Sequence, residues 1–144
     1  MAVYTKLSDQ NLKSFLQKYN LGNLLNYKGI MEGIENTNYL IETDKGKYIL
    51  TVYEKRIDEK DLPFFMGLMR NLFDAKFPSP EPIINKNGSY ITNILNKKAA
   101  VVSFLKGKAK IELSPDNCYE VGINTAKLHS ITKNLSIKRN NRLS

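Results

Sequence analysis

The residues of this 144-residue chain best suited to chemistry lie in one glycine-containing run and one apolar strand. Gly29-Ile30-Met31-Glu32-Gly33-Ile34-Glu35-Asn36 sets two glycines and a carboxamide between apolar segments, with Asn38 two residues further on. Backbone N–H groups reach phosphate oxygens closely only where no Cβ intervenes. A turn of this type can therefore cover an oxyanion, with Gly33 at the point of approach and Asn36 and Asn38 as added donors. The plainer reading is a hairpin whose glycines serve turn geometry, and on residue types alone it is preferred. The second candidate is Val101-Val102-Ser103-Phe104-Leu105. An extended strand of apolar and small side chains can read a planar base through its backbone groups, and Gly107 would permit a bend just beyond it. A buried core strand with an end glycine explains those residues too, and on residue types alone it is preferred.

Other reactive residue types are scarce. Cys118 and His129 are the only cysteine and histidine, so no internal disulfide can form and the pair does not amount to a zinc site. No pKa-lowering cluster surrounds Cys118, which reads as an inert thiol, and His129 reads as a structural residue of a helix. The net charge of +8 raises a nucleic-acid partner. Ten of the 22 Lys+Arg fall in residues 97–144, against three of the 14 Asp+Glu. The chain is also rich in Lys, Asn and Ile, as an AT-rich genome produces, and no aromatics interleave the basic tail, so nucleic acid is disfavoured. No apolar stretch reaches membrane-spanning length, and Met1–Lys6 has no signal core. The expectation is a cytoplasmic chain with no membrane partner.

The elements that must position these residues follow from hydrophobic periodicity. Ser8 caps a helix with Leu12, Phe15, Leu16 and Tyr19 on one face, and Gly22 stands where a C-cap glycine belongs. Strand-like runs at 24–31, 38–43 and 48–53 follow, the last two joined by the turn Asp44-Lys45-Gly46-Lys47. A helix near 61–76 is capped by Asp61 with Pro63 in its first turn, and the Pro78–Pro82 segment ends it. Ile83-Ile84 and Tyr90–Thr92 read as a hairpin about Asn85–Gly88. Ala99–Leu105 reads as a buried strand, and a last helix runs over about 116–130. On that helix Tyr119, Ile123, Ala126 and Leu128 would face whatever covers it. The pattern predicts an α+β fold: an antiparallel sheet of about five strands with one inserted helix.

Five segments together carry a resemblance. Residues 27–39 look like the first hairpin of the homoserine kinases related to aminoglycoside phosphotransferases and choline kinases, and 45–56 like their third strand. Asp61–Met69 resembles their following helix, Phe104-Leu105-Lys106-Gly107 their interlobe Phe-Leu-x-Gly, and Gly122 through Ala126-Lys127-Leu128-His129 their Gly-x-x-x-Ala-x-Leu-His helix. The resemblance implies a protein-kinase-like, two-lobed fold. Residues 1–105 would be the lobe covering ATP, and 106–144 the interlobe connection and the start of an incomplete second lobe. It implies nucleotide contacts at Gly33, Asn36, Asn38, Thr51, Ser103, Phe104 and Leu105. Thr51 stands where kinases place a phosphate-pairing lysine, and no acid on the next helix would partner such a lysine. Either another cation, such as Lys55 or Arg56, would substitute, or phosphate anchoring would lean on metal ions.

The resemblance further implies ATP and Mg²⁺ as cofactors, homoserine as substrate and O-phosphohomoserine as product, in threonine biosynthesis. The superfamily's His-x-Asp…Asn catalytic loop and its later metal-binding Asp do not occur in these 144 residues. No catalytic or metal-ligating residue is therefore assigned, and the chain reads as a fragment, a split gene product or a remnant. A separately encoded second lobe is the candidate partner. The alternative is a catalytically dead remnant or interaction domain that keeps the fold.

Overall fold

The computed structural model describes residues 3–54 and 57–139. The first helix, α1 (Asp9–Leu16), begins at a reciprocal cap. Ser8 accepts from the Asn11 backbone N–H, and the Asn11 side chain reaches back to Ser8. Leu12, Phe15 and Leu16 lie on its buried face, joined by Tyr19 just beyond. The helix stops at Leu16, so Gly22 is not its cap. Gly22 has φ +83°, and a Cβ there would stand 1.7 Å from Asp44 Oδ1. The glycine serves the close approach of the 44–45 turn instead of ending the helix.

Strands β1 (Leu24–Ile30), β2 (Thr37–Thr43) and β3 (Gly46–Val52) form an antiparallel meander. Helix α2 (Leu62–Asp74) follows, then β4 (Pro82–Ile83), β5 (Ile91–Ile94) and β6 (Lys97–Ser103). The spatial order is β1-β2-β3-β6-β4, with β5 also paired to β6, and every pair is antiparallel. This is the expected α+β arrangement with one α-helix inserted after the third strand, built from six strands. Asp61 makes no capping hydrogen bond to α2; Asp58 caps the short 3-10 turn before it, and Asp61 pairs with Arg139 at 2.8 Å.

The hairpin expected between Ile83-Ile84 and Tyr90–Thr92 does not form. β4 pairs with β6 through Pro82↔Val102 and Ile83↔Val101, and β5 pairs with β6 through Ile91↔Ala100 to Ile94↔Lys97. The reason lies in two turns. Asn85 accepts at Oδ1 from the backbone N–H groups of Asn87 and Ser89, which folds 85–89 into a self-contained loop. The real hairpin turn is Leu95-Asn96, with both residues at positive φ (46° and 60°). That backbone normally draws Asn-Gly or Asp-Gly, so Leu-Asn gives little turn signal.

Alternation within the meander splits the sheet into two faces. Tyr39, Ile41, Leu50, Val52, Ala99 and Val101 pack with Leu12, Phe15, Leu16 and Tyr19 of the α1 segment into the main core. The Tyr19 hydroxyl is satisfied by Thr92 Oγ1 at 2.8 Å. Helix α3 (Pro115–Thr132) is capped by Ser114 and Asn117 but has no buried residue. Tyr119 and Val121 are exposed, Ile123 and Leu128 half-buried. Beyond it the chain returns to α2: Arg139 lies 5.1 Å from the Phe65 ring centre.

Candidate functional site

The sheet face away from the main core carries two cross-strand rows. Lys28↔Leu40↔Ile49↔Val102 forms the first, and Ile30↔Asn38↔Thr51↔Ala100 the second. Directly paired residues in a sheet present side chains to the same face, so the first row is largely apolar and the second places two polar groups side by side. Thr51 Oγ1 donates to Asn38 Oδ1 at 2.8 Å. That bond occupies the carboxamide oxygen and leaves the Asn38 NH₂ group to donate elsewhere.

The turn 31–36 bounds this face at one end. Gly33 sits there at φ +117°, which a residue with a Cβ adopts only under strain. Phe104, just past β6, bounds the other side. A cleft of about 270 Å³ brings the two together, lined by Lys28–Glu32, Leu40 and Phe104. A larger cleft, about 440 Å³, opens beside Gly22, Lys45 and Lys86. It adjoins the 44–45 turn, at the opposite end of β2 from Gly33, and touches none of the expected site residues.

The expected residues do not all point into the cleft. Phe104 lines it, Asn38 and Thr51 form the polar row beside it, and Gly33 lies in the adjoining turn outside its lining. Asn36 turns back, its Oδ1 accepting from the Glu54 N–H at 3.4 Å. Ser103 is paired with Glu81, accepting at Oγ from the Glu81 N–H and donating its own N–H to the Glu81 carbonyl, both at 2.9 Å. The Phe104 N–H donates to the Lys47 carbonyl at 3.2 Å. Of the three N–H groups at 103–105, that of Leu105 is left for a ligand among the described residues. Lys55 and Arg56 lie outside the described residues. Val102 belongs to the candidate strand Val101–Leu105, whereas Leu40, Ile49 and Ile30 were not among the expected contacts. Their signal was available: Leu40 is apolar yet out of phase with Tyr39 and Ile41, which means a second face that needs cover.

A cluster of charge stands at the end of β3 beside the turn. Glu54, 12% exposed, pairs through Oε2 with Lys97 and accepts at Oε1 from Thr5 Oγ1 at 2.6 Å. Burial pushes the Glu54 carboxyl up. Hydrogen bonds from Lys97, Thr5 and Thr37, with the Lys97 charge, outweigh that and hold it below its ordinary value of 4.5. A depressed folded-state pKa contributes stability that is complete above the unfolded value and is lost as pH falls through the folded one. Urea unfolding between pH 6 and pH 3 should therefore show stability falling below about pH 4.5. Glu54→Gln should flatten that acid limb. An unchanged acid limb in the variant would show that the carboxylate is not the titrating group.

Comparison with known proteins places the whole arrangement. Residues 26–142 match the phosphotransferase enzyme family, and the chain belongs to that family. It is 44% identical over 143 residues to the homoserine kinase of Parvibaculum lavamentivorans, covering 99% of this chain and 44% of that protein. It is 45% identical over 144 residues to the homoserine kinase of Bartonella tribocorum, covering 100% of this chain and 45% of that one. The chain thus spans less than half the length of the relatives it matches and corresponds to their N-terminal portion. A spectinomycin phosphotransferase crystallised with ADP and spectinomycin superimposes with a TM-score of 0.70 at 14% identity, over 97% of this chain and 44% of the other. That likeness fixes the kinase-like fold. Among the described residues no helix is long and apolar enough to cross a membrane.

Proposed function

We propose that this chain is the nucleotide-binding lobe of a homoserine kinase, with residues 1–105 forming the lobe and 106–144 the connection to a second one. The observation that carries the reading is the pair of cross-strand rows on the face away from the main core, beside a cleft lined by Lys28–Glu32, Leu40 and Phe104. Adenine lies against Leu40, Ile49 and Val102, read by backbone groups at 103–105. The phosphates lie beyond, toward Asn38, Thr51 and the backbone at Gly33. In the complete protein the homoserine hydroxyl oxygen forms the new bond to the γ-phosphorus of ATP. The bond from that phosphorus to the bridging oxygen breaks, ADP leaves, and the hydroxyl proton passes to a base of the second lobe.

Among the described residues no group of three or more His, Cys, Asp or Glu could hold an ion. Mg²⁺, which screens nucleotide phosphate charge in this chemistry, would be held by the second lobe. The missing strand lysine is answered by neutral donors: Thr51 is tied to Asn38, and the row contains no cation that would need a buried acid.

The direct test is titration of the chain with ADP or a fluorescent ADP analogue. Weak, saturable binding is expected, since one wall of the cleft is present. Gly33→Val should weaken it at least about tenfold, because a β-branched residue is strained at that φ and blocks backbone approach to phosphate. Equal affinity in the wild type and the variant would remove the phosphate from this turn.

A further inference from the structure

The turn 31–36 has no backbone–backbone hydrogen bond of its own among the described residues. It is held from outside. Thr37, the first residue of β2 and fully buried, accepts at Oγ1 from the backbone N–H groups of Tyr4 at 2.9 Å and Thr5 at 3.0 Å. The same hydroxyl donates to Glu54 Oε1 at 2.8 Å. Lys97, paired with Glu54, also donates to Thr5 Oγ1 at 2.7 Å, so the N-terminal segment is fastened to β2, β3 and β6 at one point. From that anchor the Tyr4 hydroxyl reaches over the turn and donates to the Ile34 carbonyl at 2.8 Å. Val3 covers Gly29 at the turn's entry: a Cβ on Gly29 would stand 2.9 Å from Val3 Cγ2.

We propose that residues 3–5 act as a strap that positions the 31–36 turn, with Thr37 as the hub that fastens the strap. A loop without internal bonds samples many shapes, and each ligand contact would then have to be offset against the entropy of ordering it. The strap fixes the turn beforehand by its entry, its middle and its exit. Its consequence for nucleotide affinity rests on the reading above; its effect on the turn does not. Tyr4 and Thr37 are positioning residues, since neither faces the cleft.

Two variants separate the strap from general stability. Tyr4→Phe removes the hydroxyl that holds Ile34 at an exposed position, and leaves the hub intact. Thr37→Val keeps the shape of the hub and deletes its hydroxyl, while Thr37→Ser keeps the hydroxyl. Backbone ¹⁵N relaxation of the full chain is the primary readout. In Tyr4→Phe and Thr37→Val the order parameters of residues 31–36 should fall from rigid values toward about 0.6 or below, with β3 and β6 unchanged. Thr37→Ser should restore them. ADP affinity should drop about tenfold in Thr37→Val and recover in Thr37→Ser, as expected for loss of about one preorganising bond. Unchanged order parameters at 31–36 in both Tyr4→Phe and Thr37→Val overturn the strap. Wild-type ADP affinity in a variant whose turn has loosened overturns the strap's consequence for nucleotide binding. If the wild type binds no ADP, the nucleotide reading fails, and the relaxation data still decide whether the strap exists.

Discussion

Joined to the C-terminal portion of a homoserine kinase such as that of Parvibaculum lavamentivorans, this chain should release ADP only when homoserine is present. Alone it should release none under the same conditions. The difference should be at least about 10⁵-fold, because phosphoryl transfer depends on holding the hydroxyl, the phosphate and the metal in register, and such positioning is worth that much or more. On the proposed reading the chain would supply one part of that geometry: an apolar row, a polar row and a turn. Its described residues contain no carboxylate cluster for the metal. Steady-state ADP release, with and without homoserine, reads the outcome in both proteins. Turnover by the 144-residue chain would place the chemistry on residues now assigned to binding. A completed protein that folds, binds ADP and stays inactive would favour the alternative of a dead remnant or interaction domain that keeps the fold.

α3 carries Tyr119, Val121, Ile123 and Leu128 with none of them buried, while its capping box is complete. A helix with sound local signals and no buried face is stabilised by something it packs against, since propensity alone seldom holds an isolated helix. Tyr119, Ile123, Ala126 and Leu128 were expected on one covered face. At about 3.6 residues per turn Leu128 stands opposite Tyr119, and none of the four is buried.

Much of the fold was legible because it rests on local signals. Ser8 and Asn11, alternating Tyr39 and Ile41, and the Pro78–Pro82 break each act within a few residues. What escaped was set by distance or by unusual turns. Leu95-Asn96 adopts a backbone that its residue types do not advertise, so β5 was paired with the wrong neighbour. Gly22 answers to Asp44, 22 residues away, and not to the helix before it. The glycine-containing turn and the end strand stood out as candidates because both depend on small or apolar residue types. The row proposed as the site's floor did not, because Leu40 and Ile49 join Val102 from two other strands only through register. The strap was invisible for the same reason: Thr37 meets Tyr4 and Thr5 across more than 30 residues.

Phe15→Ala should be the most damaging single change to the fold. Phe15 is 2% exposed, and it belongs to the α1 segment, which covers the main-core face of the sheet. Truncating a fully buried Phe removes its transfer free energy and leaves a cavity, together costing about 3–5 kcal/mol. Its ring lies 5.2 Å from that of Tyr19, so an aromatic contact worth about 0.5–1.5 kcal/mol goes within that total. Against a typical total of about 5–15 kcal/mol, the loss is a large fraction of what holds the domain together. The melting temperature should fall by roughly 10–20 °C, followed by circular dichroism. Tyr119→Ala on the exposed α3 is the control, with an expected change within about 0.5 kcal/mol. The consequence reaches the open face as well. Leu50 and Val52 are held by α1, and Ile49 and Thr51 alternate with them along β3, so loosening the core side disturbs the row that would carry the nucleotide. ADP affinity measured well below the variant's melting temperature should therefore weaken less than stability does. A loss of stability under about 1 kcal/mol would mean that α1 is not seated on the sheet.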